Sequence, residues 1–308
     1  GGGRRAVFCT YRSAERVAQA QSAGGRAPLD LLICDEAHVT AGRGTKRDAR
    51  PLDDAFLEAE RRLFLTATPR GFGRRQESKD DAPLTSSMDD EGLYGRQVFR
   101  LSHKAAVDAR VVAPLRHVFL NVSERYEQIV MDNPILRKEL EGQPISDDTK
   151  LALAIFDCQR RYGATTVFSF HSTNERARMF SEVAHGVLGA AASAFGASRW
   201  LVDRVHGRMN AGDRRDVLST IDVSPDSPTL IANARVVAPG VDVPAVDWVV
   251  FADPKQSHID ILQAMARAAR VAPGKRFGYV FVPIGEKEEA GPFDAAVEVM
   301  RVGWLVGG

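Results

Sequence analysis

The chain has 308 residues, a formal net charge of +1 and 26% charged residues, enough for two ordinary domains but not for a uniformly basic surface, so any nucleic-acid binding must be local to a groove or patch. No stretch approaches the roughly 20 apolar residues of a membrane span and no signal-peptide pattern opens the chain, so a cytoplasmic protein with no membrane partner is expected. The three cysteines, Cys9, Cys34 and Cys158, lack metal-ligand spacing and read as small buried thiols, which argues against a zinc site.

Gly1-Gly2-Gly3-Arg4-Arg5 leads straight into a β-like run, Ala6-Val7-Phe8-Cys9-Thr10-Tyr11, and residue 1 is not methionine. With no obvious stop after Trp304-Leu305-Val306, the sequence reads as a fragment cut at its N-terminus and open at its C-terminus. Strand and helix then alternate: a strand over 6–10, an Ala-rich helix over 13–23, a strand over 29–34, a helix over 52–61 and a strand over 63–66. That rhythm predicts a parallel sheet with crossover helices. Residues 71–87, rich in Gly, Arg, Ser, Lys and Asp without apolar period, are expected to form a surface loop. A second series starts near 111–114, giving expected domains 1–112 and 113–308. It opens with a strand over 116–122 and a helical stretch over 123–161 that Asn133-Pro134 and Gly142-Gln143-Pro144 interrupt. Strands at 165–170, 201–205, 229–232, 248–251 and 277–282 follow, alternating with helices at 174–191, 211–220 and 257–269. The predicted fold class is α/β, with two parallel-sheet units.

Two apolar strands deliver polar residues to one sheet edge. Leu31-Leu32-Ile33-Cys34 ends in Asp35-Glu36-Ala37-His38, and Leu63-Phe64-Leu65 ends in Thr66-Ala67-Thr68-Pro69. The carboxyl ends of parallel strands are where open α/β sheets bind ligands, although a solvated acidic turn would look the same. Within the second unit, Gln263, Arg267 and Arg270 stand at i, i+4 and i+7, so one helix face would carry two guanidiniums able to grip phosphate oxygens bidentately. A basic solvated face is the plain alternative. Tyr11 and Phe170 fit core aromatics as well as they fit base-stacking residues.

The ordered set resembles the superfamily 2 DEAD/DEAH-box helicases, and most of all the large predicted helicases of bacterial restriction and phage-defence systems, of which the type ISP restriction motors are the nearest kind. Asp35-Glu36-Ala37-His38 is similar to Walker B, Thr66-Ala67-Thr68 to motif III, and Gln263 through Arg270 to motif VI. Cys9-Thr10-Tyr11-Arg12-Ser13 is similar to motif Ic, Val167-Phe168-Ser169-Phe170-His171-Ser172 to motif IV, and Ile231-Ala232-Asn233-Ala234-Arg235 with Gly240-Val241-Asp242-Val243-Pro244 to motif V. The resemblance implies two RecA-like lobes, the first incomplete at its N-terminus, that use ATP and Mg²⁺ and act on DNA largely without sequence preference.

The same resemblance implies roles. Asp35 would hold Mg²⁺ through its water shell, Glu36 would activate the attacking water, and His38 would couple that site to the rest of the motor. Thr66, Thr68, Gly240, Asp242 and Gln263 would touch nucleotide or couple to it, with Arg267 and Arg270 as arginine fingers. Thr10, Tyr11, Ser13, His171, Ser172, Asn233 and Arg235 would contact the nucleic-acid strand. Two positions depart from the pattern: Ala266 stands where motif VI has glycine, and Pro239 occupies a position usually acidic in the nearest relatives.

No Gly-x-x-x-x-Gly-Lys-Ser/Thr occurs anywhere in the chain. Without that lysine and its nest of backbone amides, the β- and γ-phosphates lose their main cradle. Two expectations follow. One is a motor whose first lobe is completed by upstream sequence or a separate polypeptide, with nuclease or methyltransferase modules as further partners. The other is a non-hydrolysing remnant that binds DNA or protein.

Overall fold

A computed structural model describes residues 5–25, 27–42, 47–69, 87–122, 124–142, 145–163, 165–223, 227–234, 246–254 and 257–284. Two compact units divide the chain, Gly1–Arg100 and Leu101–Gly308.

In the first unit, helix α1 (Ala14–Ala23) buries Ala14 and Ala18, one helical turn apart. Strands β1 (Leu32–Cys34) and β2 (Arg62–Phe64) pair in parallel with Ile33 opposite Leu63, and a bridge between Leu29 and Ala59 extends the pairing toward their beginnings. Both strands are shorter than the expected spans of 29–34 and 63–66.

The expected helix over 52–61 is absent. A 3₁₀ turn, Arg47–Leu52, contains Pro51, the Asp53 carboxylate accepts from the Ala55 amide, and the Arg62 guanidinium takes the carbonyls of Pro51 and Leu57. Side-chain partners therefore replace the helical ladder. Residues 5–10 form no strand either, and Phe8 is 94% exposed. On one face of the two-stranded sheet, Leu31, Ile33 and Leu65 also remain exposed, unusual in a parallel sheet, which ordinarily has both faces covered. A short helix α2 (Glu91–Tyr94), capped by the Asp90 carboxylate, sets the Tyr94 ring edge-on to Phe64, with centroids 5.0 Å apart.

Helix α3 (His103–Asp108) groups with the second unit, ahead of the boundary expected at 112. Its following turn is tied there by the Ala113 amide, which donates to the Ala269 carbonyl at 2.7 Å. Next come β3 (Leu115–Asn121), α4 (Glu124–Asp132), α5 (Pro134–Glu139) and α6 (Asp147–Tyr162). Asn133 caps α5 ahead of Pro134, so the helical stretch breaks there as expected, and Ser146 caps α6 after a second break that includes Gly142, while Gln143 and Pro144 lie outside the described residues. The alternation continues with β4 (Thr166–Phe170), α7 (Asn174–Phe195), β5 (Leu201–Val205), α8 (Ala211–Val223), β6 (Thr229–Asn233), β7 (Trp248–Phe251), α9 (His258–Ala268) and β8 (Gly278–Ile284).

These six strands form one parallel sheet in the order β3-β8-β7-β4-β6-β5. Alternate side chains feed two cores. Val167, Leu230, Trp248 and Phe281 join Leu151, Phe156, Phe180 and Leu188 on one face. Phe168, Phe170, Ile231, Val249 and Phe251 join Ile261 and Met265 on the other. The doubly covered parallel sheet is that of a RecA-like lobe. Among the described residues no helix is long and apolar enough to cross a membrane.

Helix α9 is pinned to the sheet at Gly278, where an added Cβ would run into the Ala268 carbonyl and the Leu115 side chain. Gly278→Ala is expected to destabilise the second unit by about 3 kcal/mol. Denaturant unfolding checks this, and an unchanged midpoint would show that the helix end is free to move.

Candidate functional site

In the first unit the strand ladder runs past the strands and organises the two turns. The Leu65 amide donates to the Cys34 carbonyl and the Ala37 amide to the Leu65 carbonyl, each at 2.9 Å. The turn after β1 is thereby laced to the turn after β2. Asp35 is exposed, and its Oδ1 accepts from the Glu36 amide at 2.9 Å. Glu36 sits in the left-handed region with φ of 51°, a conformation that costs a non-glycine residue about 1 kcal/mol.

His38 is buried, at 7% exposure, and its Nδ1 is a shared contact. Glu36 Oε2 lies 3.3 Å away, Thr66 Oγ1 3.1 Å and Thr68 Oγ1 3.3 Å. Only a tautomer with the proton on Nδ1 gives the Glu36 carboxylate a donor, and the hydroxyls then serve as acceptors or as neighbours. Thr66 Oγ1 additionally accepts from the Thr68 amide at 3.1 Å. Glu36, His38, Thr66 and Thr68 thus form one hydrogen-bonded set, with the carboxylate at its exposed end. Behind it, the Thr40 hydroxyl donates to the Ala37 carbonyl at 2.8 Å and accepts from the Tyr94 hydroxyl at 3.0 Å, a link the sequence pattern did not suggest.

Asp35 suits a hard cation that keeps most of its water, because Mg²⁺ is usually held by one or two carboxylates together with phosphates. Among the described residues no group of three or more His, Cys, Asp or Glu could hold a metal on its own.

Tyr11, from the segment expected to meet nucleic acid, reaches this turn. Thr10 is exposed, its hydroxyl donates to Ser13 Oγ at 3.2 Å, and Tyr11 begins a 3₁₀ turn, Tyr11–Ser13. Tyr11 is half-buried, and its hydroxyl donates to the Asp35 carbonyl at 2.7 Å. Burial, then the Cys34 thiol and the Asp35 and Glu36 carboxylates, raise the phenol above its ordinary value.

In the second unit the corresponding edge is held by an acidic residue that the sequence reading had not singled out. Asp253 Oδ2 accepts from the Ser172 amide at 2.8 Å and the Ser172 hydroxyl at 2.7 Å. Arg176, on the first turn of α7, grips Asp148 bidentately at 3.0 and 2.9 Å and reaches Asp253 Oδ1 at 3.5 Å. The available signal was Asp253 at the carboxyl end of a buried strand, the same pattern that marked Asp35.

His171 and Asn233, expected to face nucleic acid, are turned inward. Each is at most 2% exposed. His171 Nε2 bonds Ser169 Oγ at 3.0 Å, its ring lies 4.8 Å from that of Phe180, and its amide donates to the Asn233 carbonyl. Ser172 stays at the surface. Phe170 is fully buried against Phe251.

Gln263 and Arg267 share a face of α9, and Arg267 is 8% exposed. Arg270 lies past the helix, which ends at Ala268 before Pro273 and the left-handed Gly274, so the three do not form one helical stripe. Ala266 is exposed within its own unit. Arg235, Pro239, Gly240 and Asp242 lie outside the described residues.

Burial pushes the Asp253 carboxyl up, but the Ser172 amide and hydroxyl, then Arg176 and His171, outweigh it and hold it below its ordinary value of 3.8. A depressed folded value contributes stability above the unfolded value and loses it as pH falls through the folded one. Asp253→Asn is therefore expected to flatten the loss of thermal stability below about pH 4. A melting series in acid tests this, and parallel wild-type and variant curves would contradict it.

Residues 155–272 match the helicase conserved C-terminal domain. Over 282 residues the chain is 27% identical to the probable helicase A859L of African swine fever virus (strain Badajoz 1971 Vero-adapted), covering 90% of this chain and 28% of the viral protein. Its fold is similar to the ATP-dependent type ISP restriction-modification enzyme LlaBIII bound to DNA, with TM-score 0.69 and 28% identity over 96% of this chain and 21% of that one. A fragment of a putative type I restriction HsdR subunit from Vibrio vulnificus YJ016 shares the fold at TM-score 0.54 and 18% identity, over 87% of this chain and 46% of that one. The chain therefore spans less than a third of the viral relative and of the LlaBIII enzyme. It carries a helicase C-terminal domain and is similar to superfamily 2 helicases of the kind found in restriction systems.

Proposed function

We propose that these residues are part of an ATP-dependent DNA helicase or translocase motor of a restriction or phage-defence system, and that its phosphate cradle is supplied from outside the 308 residues. The observation that carries this reading is the set of Glu36, His38, Thr66 and Thr68. A solvated acidic turn has no use for a buried histidine that joins its carboxylate to the hydroxyls of a second strand end.

Bound ATP with Mg²⁺ would supply the transferable phosphoryl group and the divalent charge. Asp35 would hold the cation through water, and Glu36 would accept a proton from the attacking water as the bond to the leaving diphosphate breaks. Arg267 and Arg270 would neutralise the charge on the transferring group. Thr10 and Ser13 present a hydroxyl pair suited to a DNA phosphate, with Ser13 as its donor, whereas Ser172 would have to release Asp253 to do the same; the DNA-bound LlaBIII enzyme supports DNA as the ligand. The exposed apolar face of Leu31, Ile33 and Leu65 supports completion of the first lobe by upstream sequence or another polypeptide. Nuclease or methyltransferase modules are further proposed partners, and the cytoplasm is the proposed location.

A second reading, a non-hydrolysing module that binds DNA or protein, is favoured by Ala266 in place of the motif-VI glycine. Its methyl group is exposed within its own unit, so that departure alone weakens the motor reading little.

The isolated chain is expected to show negligible DNA-stimulated ATPase, whereas a form extended to include a Gly-Lys-Thr loop recovers it. In that form Arg267→Ala should lower kcat by about 1,000-fold and Glu36→Gln should abolish turnover while ATP still binds. Robust turnover by the isolated chain would sink the proposal of an external phosphate cradle, and a dead extended form would favour the non-hydrolysing module.

A further inference from the structure

The peptide unit that joins Asp35 to Glu36 is held from both sides. Its N–H donates to Asp35 Oδ1 at 2.9 Å, and its carbonyl accepts from the Tyr11 hydroxyl at 2.7 Å, across 24 residues of sequence. Rotation of this one plane changes ψ of Asp35 and φ of Glu36 together. Glu36 is also where the backbone is least comfortable, at φ of 51°. If φ of Glu36 relaxed toward negative values without a compensating change in ψ of Asp35, its Cα–Cβ bond would be re-aimed and the carboxylate carried away from His38. Both bonds that resist this change are exposed, but the one within Asp35 is local, whereas the one from Tyr11 comes from a separate element.

We infer that Tyr11 is a positioning residue, whose hydroxyl fixes the Asp35–Glu36 peptide plane and so holds the Glu36 carboxylate in its place for water activation. This inference rests on the motor reading. The phenol suits a permanent donor, because its surroundings keep it protonated across the physiological range. Tyr11 is also the first residue of the 3₁₀ turn that contains Ser13 and is preceded by Thr10, both proposed above to meet DNA phosphates. A shift of that turn reaches the Asp35 carbonyl through a single hydrogen bond, which gives DNA a short route to the hydrolytic turn. This role belongs to the Tyr11 hydroxyl and is separate from any part its ring plays in stacking or in the core.

Tyr11→Phe keeps the ring and removes the bond. Two measurements test the inference. In the 308-residue chain, amide hydrogen exchange at Ala37 and Val39, which donate to Leu65 and Glu36, should accelerate about fivefold, the equivalent of one hydrogen bond. In the form carrying a phosphate-binding loop, DNA-stimulated kcat should fall about tenfold or more, with KM for ATP and Kd for DNA changed less than about twofold. Unchanged exchange would overturn the latch itself. Faster exchange with unaltered kcat, or with kcat, KM and Kd all moving together, would leave Tyr11 a structural residue and overturn the positioning role. If the loop-bearing wild type does not hydrolyse ATP, the motor reading fails and the positioning role fails with it, while the exchange data still decide whether the latch exists.

Discussion

Backbone polar groups at the carboxyl edge of a parallel sheet lose their ladder partners one residue after the strands end, and both units are organised by how those groups are satisfied. In the first, the ladder is carried forward by the bonds from Leu65 to Cys34 and from Ala37 to Leu65. Tyr11 takes the carbonyl that the ladder leaves over, and the Asp35 side chain takes the adjoining amide. In the second, the Ser172 amide is met by the Asp253 carboxylate rather than by backbone, while the amides of Ala252 and Asp253 converge on the Phe170 carbonyl. Side chains needed to close an edge are thereby fixed in the place where a ligand would meet the sheet.

This places structural and chemical demands on the same residues. Glu36 is held by its peptide plane and by His38, and its carboxylate remains half exposed, so an approaching water can reach it. Asp253 is the reverse case. Both of its oxygens are engaged, by Ser172 and by Arg176, and its pair with Arg176 is shared with Asp148 on a different helix. An aspartate so fully committed acts as a tie between strand ends, not as a candidate for metal binding or proton transfer.

The legible part of the fold was the part set by period. Each of the six strands of the second unit falls where it was expected, the inner β4, β6 and β7 because both their faces are buried along the whole length and demand mostly apolar side chains, whereas the edge strands β3 and β5 also carry Arg116, His117, Asp203 and Arg204. The helix breaks at Asn133-Pro134 and at Gly142 were legible for local reasons, a proline that cannot continue a helix and a glycine at φ of 79°. The first unit was less legible. Residues 52–61 have helix-forming composition, but Arg62 captures the carbonyls of Leu57 and of the preceding Pro51, and no periodicity announces a guanidinium folding back from a later strand. The β-like run at 6–10 has strand composition and no strand partner among the described residues.

The candidate site divides along the same line. Asp35, Glu36, His38, Thr66 and Thr68 were legible because each follows an apolar strand directly, and two parallel strands must end on the same edge. Residue type alone could not show which way a side chain turns after the strand ends. His171 is a polar residue one position past β4, and it faces the core because Ser169, two residues earlier on the same face, offers a hydroxyl and Phe180 offers a ring. Ser172, the next residue, must then face outward by alternation. Tyr11 shows the same limit from the opposite side: its ring chemistry suggested stacking or core, whereas its position 24 residues before a strained peptide gives the hydroxyl the deciding role. A side chain at a sheet edge is assigned by the backbone group that lacks a partner there, and only the register of the strands reveals which group that is.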